Sequence, residues 1–204
     1  MTITNIDALI DAHYDAKNSG VNKDQPNQLE LGATYLFGNK DHGYRVIGNF
    51  DVGIVAASTI NAVSLFREIS LISGPGSAAA FISRCTRPAD WVEGEVTWDD
   101  YKSSTAWTDA GGDFDDTGPP AKVNYTEASG TGEHEITGLL ALVTDAIANR
   151  SNIVSIVLRL DDEDPGNNDY YRWKPSEHSD SWYLEIDHTP PAAGGTDLMR
   201  GRWG

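Results

Sequence analysis

The chain has 204 residues, a formal net charge of −16 and a single cysteine, Cys85. A length near 200 residues is typical of one β-sandwich domain. One cysteine excludes an intramolecular disulfide and favours folding in a reducing compartment. The negative charge argues against nucleic acid as a partner, because nucleic acid selects basic patches.

The N-terminal segment MTITNIDALIDAHYDA has no basic region and no unbroken apolar stretch. It therefore does not predict a secretory signal. No segment reaches the roughly 18 apolar residues that a membrane helix requires. We expect a protein that folds in the cytoplasm and has no membrane partner.

Three segments alternate apolar and polar residues with a period of two, at 44–52, 153–160 and 182–188. This period is typical of strands with one face in a core and the other in water. Segments 60–67 and 79–85 are partly apolar on both sides, which predicts more central strands.

Clusters of Gly, Pro, Asn and Asp separate these segments, at 18–27, 73–77, 109–120, 128–133 and 161–169. Their residue chemistry predicts turns or loops. Short strands separated by such loops are typical of sandwiches and barrels. We therefore predict an all-β, antiparallel, two-sheet jelly-roll β-sandwich.

One segment, 136–149, has the helical period instead. Thr137 is a candidate N-cap and Asn149 a candidate terminator. We predict one short helix near residues 138–149 that covers an open end of the sandwich and packs its apolar stripe into the core. The stripe consists of Leu139, Leu140, Val143 and Ile147.

The composition changes after His188, which divides the chain into a predicted domain at 1–188 and a linker and tail at 189–204. The linker 189–196 is rich in Pro and Gly and cannot continue a sheet. Arg and Trp anchor interfaces, so we predict that the tail is a docking peptide. A frayed terminus is the alternative. The candidate partner-binding residues are Leu198, Met199, Arg200, Arg202 and Trp203.

The common catalytic signatures are missing from the sequence, including a GxSxG elbow, a P-loop and HExxH. The five histidines are dispersed, and Cys85 lies in an apolar strand, where a thiol is usually inert. We expect no enzymatic activity. Glycoside hydrolysis is the alternative, because it needs only two suitably separated carboxylates and sequence does not supply their geometry.

The densest group of oxygen ligands lies in the loop 161–169. Calcium takes six to eight oxygens, and loops supply them well. A calcium site is therefore the alternative to a solvated loop, and no other cofactor is expected. The candidate ligands are Asp161, Asp162, Asp164 and Asp169.

Six tryptophans are candidates for sugar stacking, although most are expected to pack in the core or at its edge. Trp107 and Trp173 lie beside polar loops. We therefore expect these two rings to be exposed, and they are the candidate carbohydrate-binding residues.

The string WVEGEVTWDD at 91–100 resembles the W-x-E-x-x-V-T-W signature of the DNRLRE-type jelly-roll domains, and the likeness extends in order over about residues 11–188. The resemblance implies a jelly roll without catalysis. Such domains are structural or binding modules, some of which bind alginate-type polysaccharides. We expect the two tryptophans to pack in the core and the glutamate to pair with a strand backbone or an arginine. The matching residues are Trp91, Glu93, Val96, Thr97 and Trp98.

We predict a non-enzymatic virion structural protein of a bacteriophage, assembled in the host cytoplasm. It is a capsid decoration (cement) protein that docks on neighbouring capsid or tail subunits and forms a symmetric homo-oligomer, with a trimer favoured. The alternative is a carbohydrate-binding module or a tail or fibre adhesin. Exposed aromatic and basic side chains on one sheet face would mark that alternative. With only 15 Lys and Arg in the chain, such a patch must be concentrated.

Overall fold

The structure, a computed structural model, describes residues 1–18, 20, 28–36, 39–87, 91–117, 121–164 and 168–192. This part of the chain is mostly β. An α-helix, α1, spans Leu140–Asn149, and a one-turn 3-10 helix spans Gly53–Val55. The strands are β1 (Thr2–Asp7), β2 (Ile10–Asp15), β3 (Leu29–Leu36), β4 (Asn39–Asp51), β5 (Thr59–Ser73), β6 (Ala79–Cys85), β7 (Asp100–Lys102), β8 (Thr105–Ala106), β9 (Phe114–Asp115), β10 (Lys122–Thr126), β11 (Gly132–Thr137), β12 (Ile153–Leu160), β13 (Asp169–Trp173) and β14 (Tyr183–Thr189).

Twelve of these strands form one antiparallel sheet, and β7 and β8 form a separate hairpin. The order in the sheet is β1-β14-β5-β13-β3-β4-β12-β6-β10, with β11 beside β5, β2 beside β4 and β9 beside β6. The predicted β-rich chain with one short helix is confirmed. The predicted division into two separate sheets is not evident, because β13 and β3 connect β5 to β4 by continuous pairing.

Two long strands organise the sheet. The 15-residue β5 pairs with β14, β11 and β13, and the 13-residue β4 pairs with β2, β12 and β3. We call β1, β14, β5 and β11 the β5 half. We call β2, β4, β12, β6, β10 and β9 the β4 half.

The registers place alternate cross-strand rows in the core. All members of the two central rows are buried, and the rows belong to one hydrophobic cluster. The sheet therefore curves around a common core, as the period-two segments require. One row is Ile6, Leu184, Leu65 and Ile136 of the β5 half, and the other is Val46, Leu158 and Ile82 of the β4 half.

Helix α1 confirms the helical segment and its end at Asn149, but the predicted N-cap is wrong. Thr137 is the last residue of β11, where it pairs with Ser64 of β5. The chain then turns at Gly138, whose φ of +93° favours glycine. The helix therefore begins only at Leu140, and no side chain caps its N-terminus.

The apolar stripe of α1 packs into the core largely as predicted. Leu139 and Val143 are buried and Ile147 packs against the core, whereas Leu140 is 38 % exposed. Within the described residues, no helix has the length and apolar character needed to cross a membrane.

A second hydrophobic cluster lies on the opposite face of the β4 half. There the segment 91–107 covers strands β2, β4, β6 and β12. Cys85 is fully buried in this cluster, and burial raises the pKa of its thiol. The expected apolar environment of this cysteine is confirmed, and such burial is typical of an inert thiol.

Candidate functional site

We call the side of each half that is turned away from the common core its outer face. The outer face of the β4 half carries alternating cations and aromatic rings. In β12 the side chain of Arg159 points away from the core because Leu158 and Leu160 point into it. Phe81 of β6 lies directly opposite Arg159 in the register, so both share the outer face. Lys122 of β10 pairs with Ser83, two residues farther along β6, and lies on the same face.

These side chains continue into a stack that we call the ladder. Its six members, in spatial order, are Trp98, Arg45, Phe114, Arg159, Phe81 and Lys122. The Arg45 guanidinium carbon lies 4.7 Å from the Trp98 ring centroid and 5.2 Å from that of Phe114. The Arg159 guanidinium carbon lies 5.1 Å from the Phe114 centroid and 4.8 Å from that of Phe81. The Lys122 ammonium lies 3.4 Å from the Phe81 centroid.

Arg45 is the most firmly fixed member of the ladder. Its Nε and Nη2 donate to the two carboxylate oxygens of Glu163 at 2.7 Å each, and its Nη1 donates to the carbonyl oxygen of Gly111 at 2.6 Å. Burial opposes the charge of Arg45. The hydrogen bonds and charge of Glu163 outweigh that effect and raise the pKa of the guanidinium. Arg45 therefore stays charged in a fixed orientation.

The other two cations differ in their counter-ions. Arg159 donates to Asp116, whose side chain is 35 % exposed. Lys122 makes no ion pair with any residue in the described part of the chain, and its ammonium lies over the Phe81 ring. Lys122 is therefore the ladder cation that is available to an external anion.

A pocket of about 540 Å³ lies beside Arg45 and Phe114. On its far side Arg87 donates to Asp113 and to the Thr108 hydroxyl at 3.1 Å. The pocket thus extends the cationic face past the ladder, although both of its arginines are held by internal partners.

The W-x-E-x-x-V-T-W segment has a structural position, as expected. Trp91 is buried, and its Nε1 donates to the side-chain oxygen of Asn49 at 3.1 Å. Glu93 accepts a hydrogen bond from the backbone N–H of Asp11 in β2 at 2.8 Å, which confirms the predicted pairing with a strand backbone.

The end of the same segment forms a turn. The Thr97 hydroxyl oxygen accepts from the backbone N–H of Asp99 at 3.2 Å and of Asp100 at 2.9 Å. Trp98 packs against the outer-face cluster and covers Arg45. The segment thereby positions the first ring of the ladder.

The predicted exposure of Trp107 and Trp173 is wrong. Trp107 is 5 % exposed and packs beside Tyr101, and its Nε1 donates to the carbonyl oxygen of Thr97 at 3.0 Å. Trp173 is fully buried beneath the Arg67 guanidinium. Neither ring has a face that a sugar could cover.

The acidic loop after β12 does not assemble the predicted calcium ligands. Asp162 accepts from the backbone N–H of Asp164, and Asp161 is exposed. Asp169 is buried at the start of β13, and burial raises the pKa of its carboxyl. Among the described residues, which omit 165–167, no group of three His, Cys, Asp or Glu side chains is placed to hold a metal.

The candidate docking residues of the tail lie outside the described residues, so their role stays a prediction. Sequence reasoning missed Arg159, Lys122, Phe81 and Phe114. The alternation of apolar and polar residues in β12 and β6 does indicate that Arg159 and Phe81 point away from the core. It does not indicate which strands are neighbours in the sheet.

No family model matches the sequence. No curated protein matches it either.

Proposed function

We propose that the chain is a non-enzymatic jelly-roll module that binds an acidic polysaccharide on the outer face of its β4 half. The observation that carries this proposal is the ladder. It concentrates three cations and three aromatic rings on one sheet face of a chain with only 15 Lys and Arg. The sequence argument set exposed aromatic and basic side chains on one sheet face as the mark of a carbohydrate-binding module, and the six ladder side chains are partly exposed.

The common core supports the jelly-roll part of the proposal. Rows from the β5 half and the β4 half bury their apolar side chains against the same cluster. In a two-sheet jelly roll of the DNRLRE type, β13 and β3 would be the strands that pass from one sheet to the other. That topology fits the long β5 and β4, each of which changes partners along its length.

The chemistry of the ladder favours a polyuronate. Lys122 has no carboxylate partner among the described residues, and a sugar carboxylate can pair with its ammonium through a charge-assisted hydrogen bond. Arg159 and Arg45 are held in place by ring faces and counter-ions, so they need little ordering when a ligand binds. The net charge of −16 acts weakly at this face, because a Debye length of about 8 Å at physiological salt screens distant carboxylates.

The reactive side chains support a non-enzymatic role, since they have structural partners. The thiol of Cys85 is buried, His42 lies 2.6 Å from buried Asp15, and His13 faces Glu30 at 3.8 Å. None of these groups lines the pocket beside the ladder.

The test is binding of a polyuronate and of a neutral glucan, measured by isothermal titration calorimetry at low and physiological salt. We expect the chain to bind only the polyuronate, and Lys122→Glu to weaken that binding by about tenfold or more. Lys102→Glu is the matched control, because Lys102 also lies over a ring, that of Tyr101, without an ion pair to a described residue. Equal affinities of Lys122→Glu and the native chain would refute the proposal.

A second candidate function is that of a bacteriophage virion structural protein, most simply a capsid decoration protein. One observation favours it: the outer face of the β5 half carries carboxylates that form no ion pair with a described residue, a surface suited to a basic protein partner. The test is light scattering of the full-length chain with and without capsid or tail subunits. A monomer that ignores both would contradict this function. The two proposed functions are compatible, because a virion structural protein can also bind a polysaccharide.

A further inference from the structure

The outer face of the β5 half is acidic and has an aromatic pair at its centre. One directly paired row crosses all four strands, with Asp7 on β1, Tyr183 on β14, Phe66 on β5 and Glu135 on β11. The rings of Phe66 and Tyr183 are stacked, with centroids 5.2 Å apart and planes at 9°. Both rings are partly exposed. The carboxylates on this face are Asp7, Glu68, Glu133, Glu135, Glu185 and Asp187.

None of these six carboxylates forms an ion pair with a described residue. By contrast, every arginine in the described part of the chain is already in an ion pair. The two remaining arginines of the sequence are Arg200 and Arg202, in the tail. One chain thus has an acidic face without ion pairs to described residues, and its sequence holds two further arginines, Arg200 and Arg202.

A groove of about 650 Å³ lies on this face. It lies where β5 changes partner, because β14 pairs only as far as Phe66 and β13 begins only at Ile69. Asp7, Glu68 and Glu133 line it, and Tyr183 forms part of its wall. Lys174 and Arg67 also line the groove, but the Lys174 ammonium lies 3.4 Å from Asp180 and Arg67 is paired with the buried Glu127. Asp7, Glu68 and Glu133 therefore form no ion pair with a described residue.

We propose that residues 197–204 of one copy bind in this groove of a second copy. In an extended tail, Arg200 and Arg202 point to the same side at a spacing of about 7 Å. Glu68 and Glu133 are directly opposite each other on β5 and β11. The Cβ atoms of such a directly opposed pair lie about 4.5–5.5 Å apart. Two long arginine side chains about 7 Å apart can converge on that pair of carboxylates. Arg forms planar, paired hydrogen bonds to carboxylates, which Lys does not.

The position of the chain exit favours a second copy over the same copy. The groove lies at the Tyr183 end of β14, whereas the chain leaves at Thr189, roughly 20 Å away at the strand's other end. The next residues are Pro190 and Pro191, which hold the chain extended. The tail of the same copy would have to reverse and run back along the sheet. The tail of a neighbour needs no reversal.

This contact is heterologous, because tail and groove are different surfaces, so it closes into a ring only if the rotation between copies allows it. A trimer is the ring that the sequence argument favoured. The interface is separate from the ladder, so self-association and polysaccharide binding are measured independently.

The experiment is sedimentation velocity of full-length chains at micromolar concentration. We expect the native chain to self-associate less as salt is raised. A tail variant, Arg200→Glu with Arg202→Glu, and a groove variant, Glu68→Arg with Glu133→Arg, are each expected to weaken association about tenfold or more. Asp109→Arg is the control, because Asp109 is an exposed acid outside the groove.

Mixing the two variants is the decisive measurement. An acidic tail then meets a basic groove and a basic tail meets an acidic groove, so mixed oligomers are expected to form. A chain that carries all four substitutions has both an acidic tail and a basic groove, so it is expected to self-associate without a second variant. A native chain that stays monomeric, a groove variant that associates normally, or a mixture without mixed oligomers overturns the proposal. Circular dichroism of each variant separates loss of contact from loss of fold.

Discussion

Asp11 is expected to make the stability of the native protein fall as pH rises from about 4 to above 7. Its carboxylate is buried, and its Oδ2 accepts hydrogen bonds from Trp182 Nε1 at 2.6 Å and from the backbone N–H of Ser176 at 2.7 Å. Its Oδ1 has no hydrogen-bond partner among the described residues. Burial first, and the charges of Glu177 and Glu93 to a lesser extent, raise the pKa of Asp11 from 3.8 to about 7.

The direction follows from proton linkage. Between pH 4 and pH 7 the folded protein keeps the Asp11 proton and the unfolded chain has lost it, so unfolding releases a proton and stability falls with pH. The contribution is complete below about pH 4 and is lost as pH rises through 7. At about 1.4 kcal/mol for each pH unit, the interval from 3.8 to about 7 corresponds to about 4 kcal/mol at most.

Asp11→Asn isolates this contribution. The amide keeps an oxygen for the Trp182 and Ser176 hydrogen bonds and has no carboxyl proton to lose. We expect the free energy of unfolding of Asp11→Asn, relative to the native chain, to rise between pH 5 and pH 8. For a domain of this size, about 3 kcal/mol corresponds to a relative shift in Tm of roughly 6 to 12 °C.

The assay is thermal unfolding followed by circular dichroism at pH 5, 6, 7 and 8. Asp162→Asn is the control, because Asp162 is exposed. Its carboxylate oxygen accepts from the backbone N–H of Asp164, and the amide oxygen of Asn can accept the same hydrogen bond. If the difference in Tm between Asp11→Asn and the native chain is the same at every pH, the reasoning about the buried carboxyl is refuted.

Three further predictions concern buried positions. Glu127→Gln leaves the fully buried Arg67 without its counter-ion, so we expect a loss of about 3–5 kcal/mol in urea unfolding; a loss below 1 kcal/mol would contradict the buried pair. Gly48→Ala places a Cβ 2.3 Å from Trp182 Cζ2, and we expect overpacking to lower stability by about 1–3 kcal/mol or more; an unchanged urea midpoint would show that the indole is not fixed there. Cys85 is expected to react with a thiol reagent only after unfolding, and rapid labelling of the native chain would disprove its burial.

The strands were predictable because the period of two is a local property of the sequence. The alternation at 44–52, 153–160 and 182–188 appears in β4, β12 and β14, with the expected apolar side in the core. The single helical segment was predictable for the same reason. The start of the helix was not predictable, since Thr137 pairs with Ser64, which lies 73 residues earlier in the chain.

The ladder was not predictable because it depends on register between distant strands. Arg45 and Arg159 are more than 100 residues apart in sequence, and only the shared ring of Phe114 brings them into one stack. The same reason explains the error on the tryptophans. Trp107 and Trp173 have polar neighbours in sequence, yet the first packs against Tyr14 of β2 and the second under Arg67 of β5.

The W-x-E-x-x-V-T-W segment and the proposed ligand face are linked through one residue, Arg45. The segment is fixed to β2 by Glu93 and to β4 by Trp91, and these two contacts place Trp98 over Arg45. The guanidinium is held independently by Glu163, so removal of the Trp98 ring leaves Arg45 charged and in place. It follows that the segment stabilises the fold and bounds the ladder at its Trp98 end. In the proposed polysaccharide site, Lys122 at the opposite end is the cation that we expect to pair with a sugar carboxylate.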